Sequence, residues 1–149
     1  RAGSLGGSIM ARTAKAEWKG DLKGGSGHVA LGSGAYEGSY SFKTRFEDGK
    51  GANPEELLGA AHAGCYSMAL SHLLATEGHT PERVRTTAAI HLGTDDEGFL
   101  ITKIDLDVRA TVPGIDDSTF QQFAEKAKVG CIIGRALAST KVGLTATLE

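Results

Sequence analysis

The chain contains two thiols, Cys65 and Cys131, and two thiols suffice for peroxide reduction. A thiolate attacks one peroxide oxygen and becomes a sulfenic acid, which a second thiol then condenses into a disulfide, protecting the first sulfur from over-oxidation. The pair is neither a Cys-x-x-Cys redox motif nor part of a four-ligand zinc pattern, and it is too sparse for a secreted disulfide scaffold. An unperturbed thiol is only a few per cent ionised at pH 7, and lowering its pKa from ~8.5 to ~6 raises the thiolate fraction roughly thirtyfold. Cys65 lies several turns inside a helical run beginning at Asn53-Pro54-Glu55-Glu56. The helix dipole fades within the first turn, so a cationic side chain must do the work there. Arg45 is the candidate, because a guanidinium stays charged and can be held by a carboxylate while its fork faces sulfur and peroxide oxygens. Cys131 competes for the leading role. It follows Gly130 at the start of a short helix, where the dipole lowers a thiol's pKa.

Other chemistries fit parts of the same residues. A cysteine on an apolar helix is commonly a small packing residue. Arg45 in a strand would commonly be solvated, and Glu56 is explained by capping alone. His62 and His72 can share a helical face with Cys65, as in a cysteine hydrolase or a zinc site that adds Cys131. A hydrolase needs an orienting group and oxyanion donors that are not legible here, and a zinc site leaves the arginine unused. A non-enzymatic alternative is a thiol redox sensor or a dimer binding an apolar ligand between its helices.

The elements that must position these residues follow from periodicity. Residues 14–18, 28–31 and 40–46 read as short strands separated by glycine-rich turns such as Lys23-Gly24-Gly25-Ser26-Gly27, which lack the helix start of a phosphate-binding loop. Asn53 as N-cap, Pro54 at N1 and Glu56 at N3 predict a helix running to about Glu77, with Gly78 and Pro81 ending it. Val84 to Leu92 and Leu100 to Val112 alternate as two half-buried strands joined by the turn-forming segment 93–98. A helix is expected from Asp117 or Ser118 to Gly130, a short one from Cys131 to Ala138, and a last strand from Lys141 to Leu148. The order β-β-β-α-β-β-α-α-β is α+β, antiparallel sheet covered by helices. The long helix is apolar on more than one side, which implies a partner subunit.

The 149 residues and 15.5 kDa of the chain suit one domain. Net charge is -2 with both signs scattered, which argues against nucleic-acid binding, and no apolar run reaches membrane-spanning length. A soluble, cytoplasmic protein is expected. Residues 1–9, small and glycine-rich ahead of Met10, are expected to be an expression-tag remnant, leaving 10–149 as a single domain.

Four strings, Thr44-Arg45-Phe46-Glu47, Asn53-Pro54-Glu55-Glu56-Leu57, Ala61-His62-Ala63-Gly64-Cys65-Tyr66-Ser67-Met68-Ala69-Leu70 and Lys126-Ala127-Lys128-Val129-Gly130-Cys131, together resemble the osmotically inducible protein C (OsmC) family of thiol peroxidases. The resemblance is to the OsmC branch, which carries its arginine in the Thr-Arg-Phe-Glu string, rather than to the sister organic hydroperoxide resistance proteins. It implies a swapped homodimer that reduces organic hydroperoxides and, less efficiently, hydrogen peroxide, with no metal and no cofactor. It assigns Cys65 as the peroxide-reactive thiol, Cys131 as the resolving thiol that closes an intramolecular disulfide, Arg45 as activator and Glu56 as its holder, with Glu55 ranked behind it. A dithiol reductant, a lipoyl protein among the possibilities, is implied as partner. Where the family usually has Cys-Pro-Val-Ser, this chain has Cys131-Ile132-Ile133-Gly134. Glu56 and Cys65 are separated by about 13 Å of helical rise and face opposite ways. A shared site therefore needs either a broken helix or a contribution from the other chain, and the second is expected.

Overall fold

A computed structural model describes residues 10–149; the expected tag remnant, 1–9, lies outside the described residues. Ten elements follow one another: β1 (Ala14–Lys19), β2 (Ser26–Leu31), β3 (Glu37–Tyr40), α1 (Phe42–Phe46), α2 (Pro54–Thr76), β4 (Arg83–Asp95), β5 (Gly98–Thr111), α3 (Asp117–Gly130), α4 (Ile132–Ala136) and β6 (Lys141–Leu148). They form two compact units, one ending at Pro54 and one spanning Glu55–Glu149. The α+β class expected from the periodicity is the one observed.

The first unit is an antiparallel meander in the order β1-β2-β3, followed by α1. Residues 40–46, expected as a strand, turn helical after Tyr40. The cause is a reciprocal capping box: Thr44 N–H donates to Ser41 Oγ at 3.2 Å while Ser41 N–H donates to Thr44 Oγ1 at 2.8 Å. Threonine here takes the place usually held by glutamate or glutamine. Phe42 and Phe46, one helical turn apart, then pack with ring centroids 5.0 Å apart and ring planes tilted by 45°.

In the second unit β4 and β5 form a long antiparallel hairpin closed by the two residues Asp96 and Glu97, with Glu97 N–H donating to Asp95 Oδ1 at 2.8 Å. The strands thus reach further into the expected turn than the alternation suggested. Ile104, Leu106, Val108 and Ala110 of β5 are buried, and Lys103, Asp107 and Arg109 occupy the other face. β6 adds to β5 in parallel; α3 and α4 form the connection between them, as a parallel pair requires. The N-cap of α3 is Asp116, whose carboxylate accepts the Thr119 N–H at 2.7 Å. Gln121 donates to the Ala146 carbonyl at 2.7 Å and ties α3 to β6.

Helix α2 supplies Tyr66, Leu70 and Leu74 to the core that also contains the buried β5 residues and Phe120 of α3. Its fully buried positions Gly59, His62, Tyr66, Leu70 and Leu74 recur every three or four residues, one stripe of the helix. Tyr66 OH donates to the Ala124 carbonyl at 2.8 Å, so its hydroxyl is satisfied within the core. The helix stops where expected. Gly78 has φ +85, His79 N–H donates to Leu74 O at 2.8 Å, and Gly78 N–H donates to Ala75 O at 3.0 Å. Those two bonds are a complete Schellman cap. A side chain at Gly78 would be strained in this left-handed conformation, so Gly78→Ala should lower unfolding free energy by about 1–2 kcal/mol. Urea denaturation checks this, and an unchanged midpoint would contradict it.

Candidate active site

The two cysteines, far apart in sequence, meet at the first turn of α4. Cys131 is the N-cap of that helix, and its Sγ accepts the Gly134 N–H at 3.2 Å. Cys65, midway along α2, accepts the Ile133 N–H of the same turn at 3.3 Å on its own Sγ. The two thiols are electrostatic neighbours, Cys65 being among the groups that raise the Cys131 pKa. Their exposures differ: Cys131 is sealed at 2 % exposure, whereas Cys65 is half-buried.

Burial decides the ionisation of Cys131. Removal from water pushes its thiol up, and the neighbouring Cys65 adds to the shift; the Gly134 and Ile133 amides pull the other way and are outweighed. The sequence suggested the opposite, since the start of a helix lowers a thiol's pKa. The amides at the start of a five-residue helix do not offset the loss of water. Cys131 is therefore held as a thiol near neutral pH, which removes the ground for casting it as the leading nucleophile.

Glu56 stands in the first turn of α2, and the helix runs without interruption from Pro54 to Thr76. The broken-helix route for bringing Glu56 to Cys65 is absent, and the two side chains stay separated along one straight helix by about 13 Å of rise. Arg45 belongs to the first unit, on α1 rather than in a strand. Its guanidinium carbon lies 5.4 Å from the centroid of the Phe46 ring, and it helps line a small apolar recess with Trp18, Leu22, Tyr40 and Phe42.

His62 was legible as one turn from Cys65, but its environment was not. The ring is fully buried, and neither Nδ1 nor Nε2 has a hydrogen-bond partner among the described residues. Each such unsatisfied polar atom costs about 1–3 kcal/mol. Desolvation lowers its pKa and keeps the imidazole neutral. His72, by contrast, is exposed, so the two histidines do not flank one buried site. Among the described residues no group of three or more His, Cys, Asp or Glu side chains is arranged to hold a metal ion.

A family model described as OsmC-like protein matches residues 47–145. The chain is 52 % identical over 124 residues to peroxiredoxin OsmC of Escherichia coli, covering 83 % of this chain and 87 % of that protein. It is 31 % identical over 84 residues to an organic hydroperoxide resistance protein of Xanthomonas axonopodis pv. citri, covering 56 % of this chain and 57 % of the relative. Among solved structures, an organic hydroperoxide resistance protein OsmC from Legionella pneumophila shares the fold with a TM-score of 0.75, at 23 % identity, over 95 % of this chain and all of that one.

The depressed His62 pKa has a defined consequence for stability. A base whose folded pKa is lowered contributes stability that is present above its ordinary value of 6.5 and is lost as pH falls below it, because the unfolded chain then binds the extra proton. Urea midpoints measured from about pH 7 down to about pH 5 should fall less steeply for His62→Gln than for the unmodified protein. Parallel acid limbs would show that the imidazole is not held neutral.

Proposed function

The chain belongs to the OsmC family, and from that membership together with its paired thiols we propose that it is a cysteine-based peroxidase that reduces organic hydroperoxides at the expense of a dithiol. The observation that carries this reading is the meeting of Cys65 and Cys131 at the first turn of α4, each sulfur taking a backbone N–H. Cys65 is the peroxide-reactive thiol because it is half-buried and so within reach of a substrate arriving from water. Its thiolate attacks the outer peroxide oxygen, the O–O bond breaks, and the alcohol leaves with a proton while Cys65 keeps oxygen as a sulfenic acid. Cys131, sealed beside it, condenses with that sulfenic acid to a disulfide and water. An external dithiol then reduces the disulfide and completes the cycle.

Arg45 is the activating cation in this reading. Its guanidinium stabilises the Cys65 thiolate and the negative charge that develops on the departing oxygen, and Glu56 or Glu55 orients it. The uninterrupted α2 keeps Glu56 away from the Cys65 of its own chain, which favours a site completed by Arg45 and Glu56 of a second copy. The exposed apolar residues of the second unit support a homodimer: Met68 on α2 is 76 % exposed, Ile132 beside Cys131 is 78 % exposed and Val129 at the end of α3 is 68 % exposed. Small residues Ala60, Ala61 and Gly64 extend the exposed face of α2 around Met68. They permit close approach of another helix. The relatives named organic hydroperoxide resistance proteins favour an alkyl hydroperoxide as substrate over hydrogen peroxide. Tyr66, next to Cys65 in sequence, is committed to the core.

Turnover of cumene hydroperoxide with dihydrolipoamide should be catalytic and should vanish in Cys65→Ser. A single stoichiometric oxidation without turnover would identify a redox sensor instead. Arg45→Ala should lower kcat/KM by about 10²–10³-fold. Heterodimers pairing a Cys65→Ser chain with an Arg45→Ala chain should retain about half the wild-type activity per dimer, since one of the two symmetry-related sites keeps both groups. Inactive heterodimers would refute a site shared between chains.

A further inference from the structure

His62 is a buried titratable side chain that no step of the proposed cycle uses. Natural cores seldom leave a polar ring without partners, and each exception calls for an explanation, a catalytic or redox role among them. Both ring nitrogens of His62 lack hydrogen-bond partners among the described residues. The ring is not isolated from the chemistry, however. The point where a Cβ at Gly134 would sit lies 3.1 Å from Cys131 Sγ and 3.6 Å from His62 Nε2. Imidazole and resolving thiol thus border the same spot at the first turn of α4. A side chain there would crowd the thiol and stand beside the ring nitrogen, and glycine leaves the space between them open.

The resolving step needs a proton carrier at this spot. Disulfide formation removes a proton from Cys131 and delivers one to the hydroxyl leaving Cys65, and Cys131 is closed off from bulk water. We propose that His62 Nε2 is the proton relay of the step that joins Cys131 to Cys65. The neutral ring, protonated on Nδ1, takes the Cys131 thiol proton as that sulfur attacks the sulfenic sulfur of Cys65. The S–O bond breaks, the S–S bond forms, and the imidazolium returns the proton to the departing hydroxide as water. Cys131 sulfur is oxidised and Cys65 sulfur is reduced, so no outside electron donor enters. The groups around the ring accommodate this: it sits beside Cys131 and Gly134 of the α4 turn, and Cys65 lies one turn along its own helix. Desolvation holds the ring neutral at rest, so Nε2 carries an unprotonated lone pair when the step begins. The hydrogen bond itself forms only when the reacting groups close up, as catalytic contacts commonly do.

The relay rests on the peroxidase reading, and one experiment separates their failures. Reduced protein is mixed rapidly with one equivalent of cumene hydroperoxide and quenched at intervals with dimedone. Mass spectrometry then follows the trapped Cys65 sulfenic acid and the Cys65–Cys131 disulfide separately. Wild-type protein that forms no sulfenic acid fails the peroxidase reading itself, and the relay with it. If both readings hold, His62→Gln forms sulfenic acid at a rate within about twofold of wild type but closes the disulfide about 10²-fold more slowly. Under excess peroxide it should then accumulate Cys65 sulfinic acid. Disulfide closure at the wild-type rate in His62→Gln overturns the relay. Wild-type protein gives a second test that does not depend on folding of the variant: the closing step should slow by about twofold or more in heavy water, as a proton in flight requires. An unchanged closing rate there overturns the relay as well.

Discussion

One short turn of helix holds both sulfurs of this protein. The amides at the start of any helix lack partners within it and must find acceptors elsewhere. At α4 those acceptors are thiols: Gly134 N–H is taken by Cys131, the capping residue itself, and Ile133 N–H is taken by Cys65 from α2. Sulfur is a weak acceptor, so these bonds contribute modestly to stability. Their importance is positional. They tie a half-buried thiol and a sealed one to the same turn, and the rest of the second unit supports that geometry. The buried stripe of α2 packs on β5 and fixes the height of Cys65, while Phe120, Ala124 and Ala127 of α3 anchor the chain that leads into Cys131.

The same packing makes the two thiols chemically unequal. Burial raises the pKa of Cys131 despite its capping amide, and leaves it as a proton-bearing partner. Such a thiol is poor at meeting a substrate from water and well placed to meet a neighbouring sulfur. Cys65 has the complementary disposition, since its half-buried side chain is open to a molecule outside the core. Neighbouring Tyr66 shows how dry this region is: burial, followed by the negative charge of Glu125 and, at the alkaline pH where a phenol titrates, of the Cys131 thiolate, pushes its phenol far above the ordinary range. An interior of that kind penalises free charge, which is why proton movements within it call for a dedicated carrier.

Much of this was legible before any coordinates. The capping pattern and Gly78 located both ends of α2, because caps depend on a few adjacent residues. The alternation of β5 was legible because one face meets a core and the other meets water. What failed was local competition and non-local pairing. Tyr40, Phe42 and Phe46 alternate with polar residues as a strand would, yet the Ser41–Thr44 box tips the segment into helix after Tyr40. The parallel docking of β6 on β5 leaves no trace in the alternation of either strand. At the site, residue types marked Cys65, Cys131 and Arg45 as candidates, while Glu56 and the division of roles came from the family resemblance. The burial that sets the Cys131 thiol, and the partnerless ring of His62, depend on residues distant in the chain and appear only once it is folded.

The central claim is that these two sulfurs form one redox couple within each chain. The most direct measurement is a non-reducing peptide map of protein treated with one equivalent of an alkyl hydroperoxide, combined with a count of free thiols. The account predicts a single crosslinked species joining the Cys65 and Cys131 peptides of the same chain, with no free thiol left. A disulfide between chains, or Cys131 remaining free while Cys65 is fully oxidised, would contradict it.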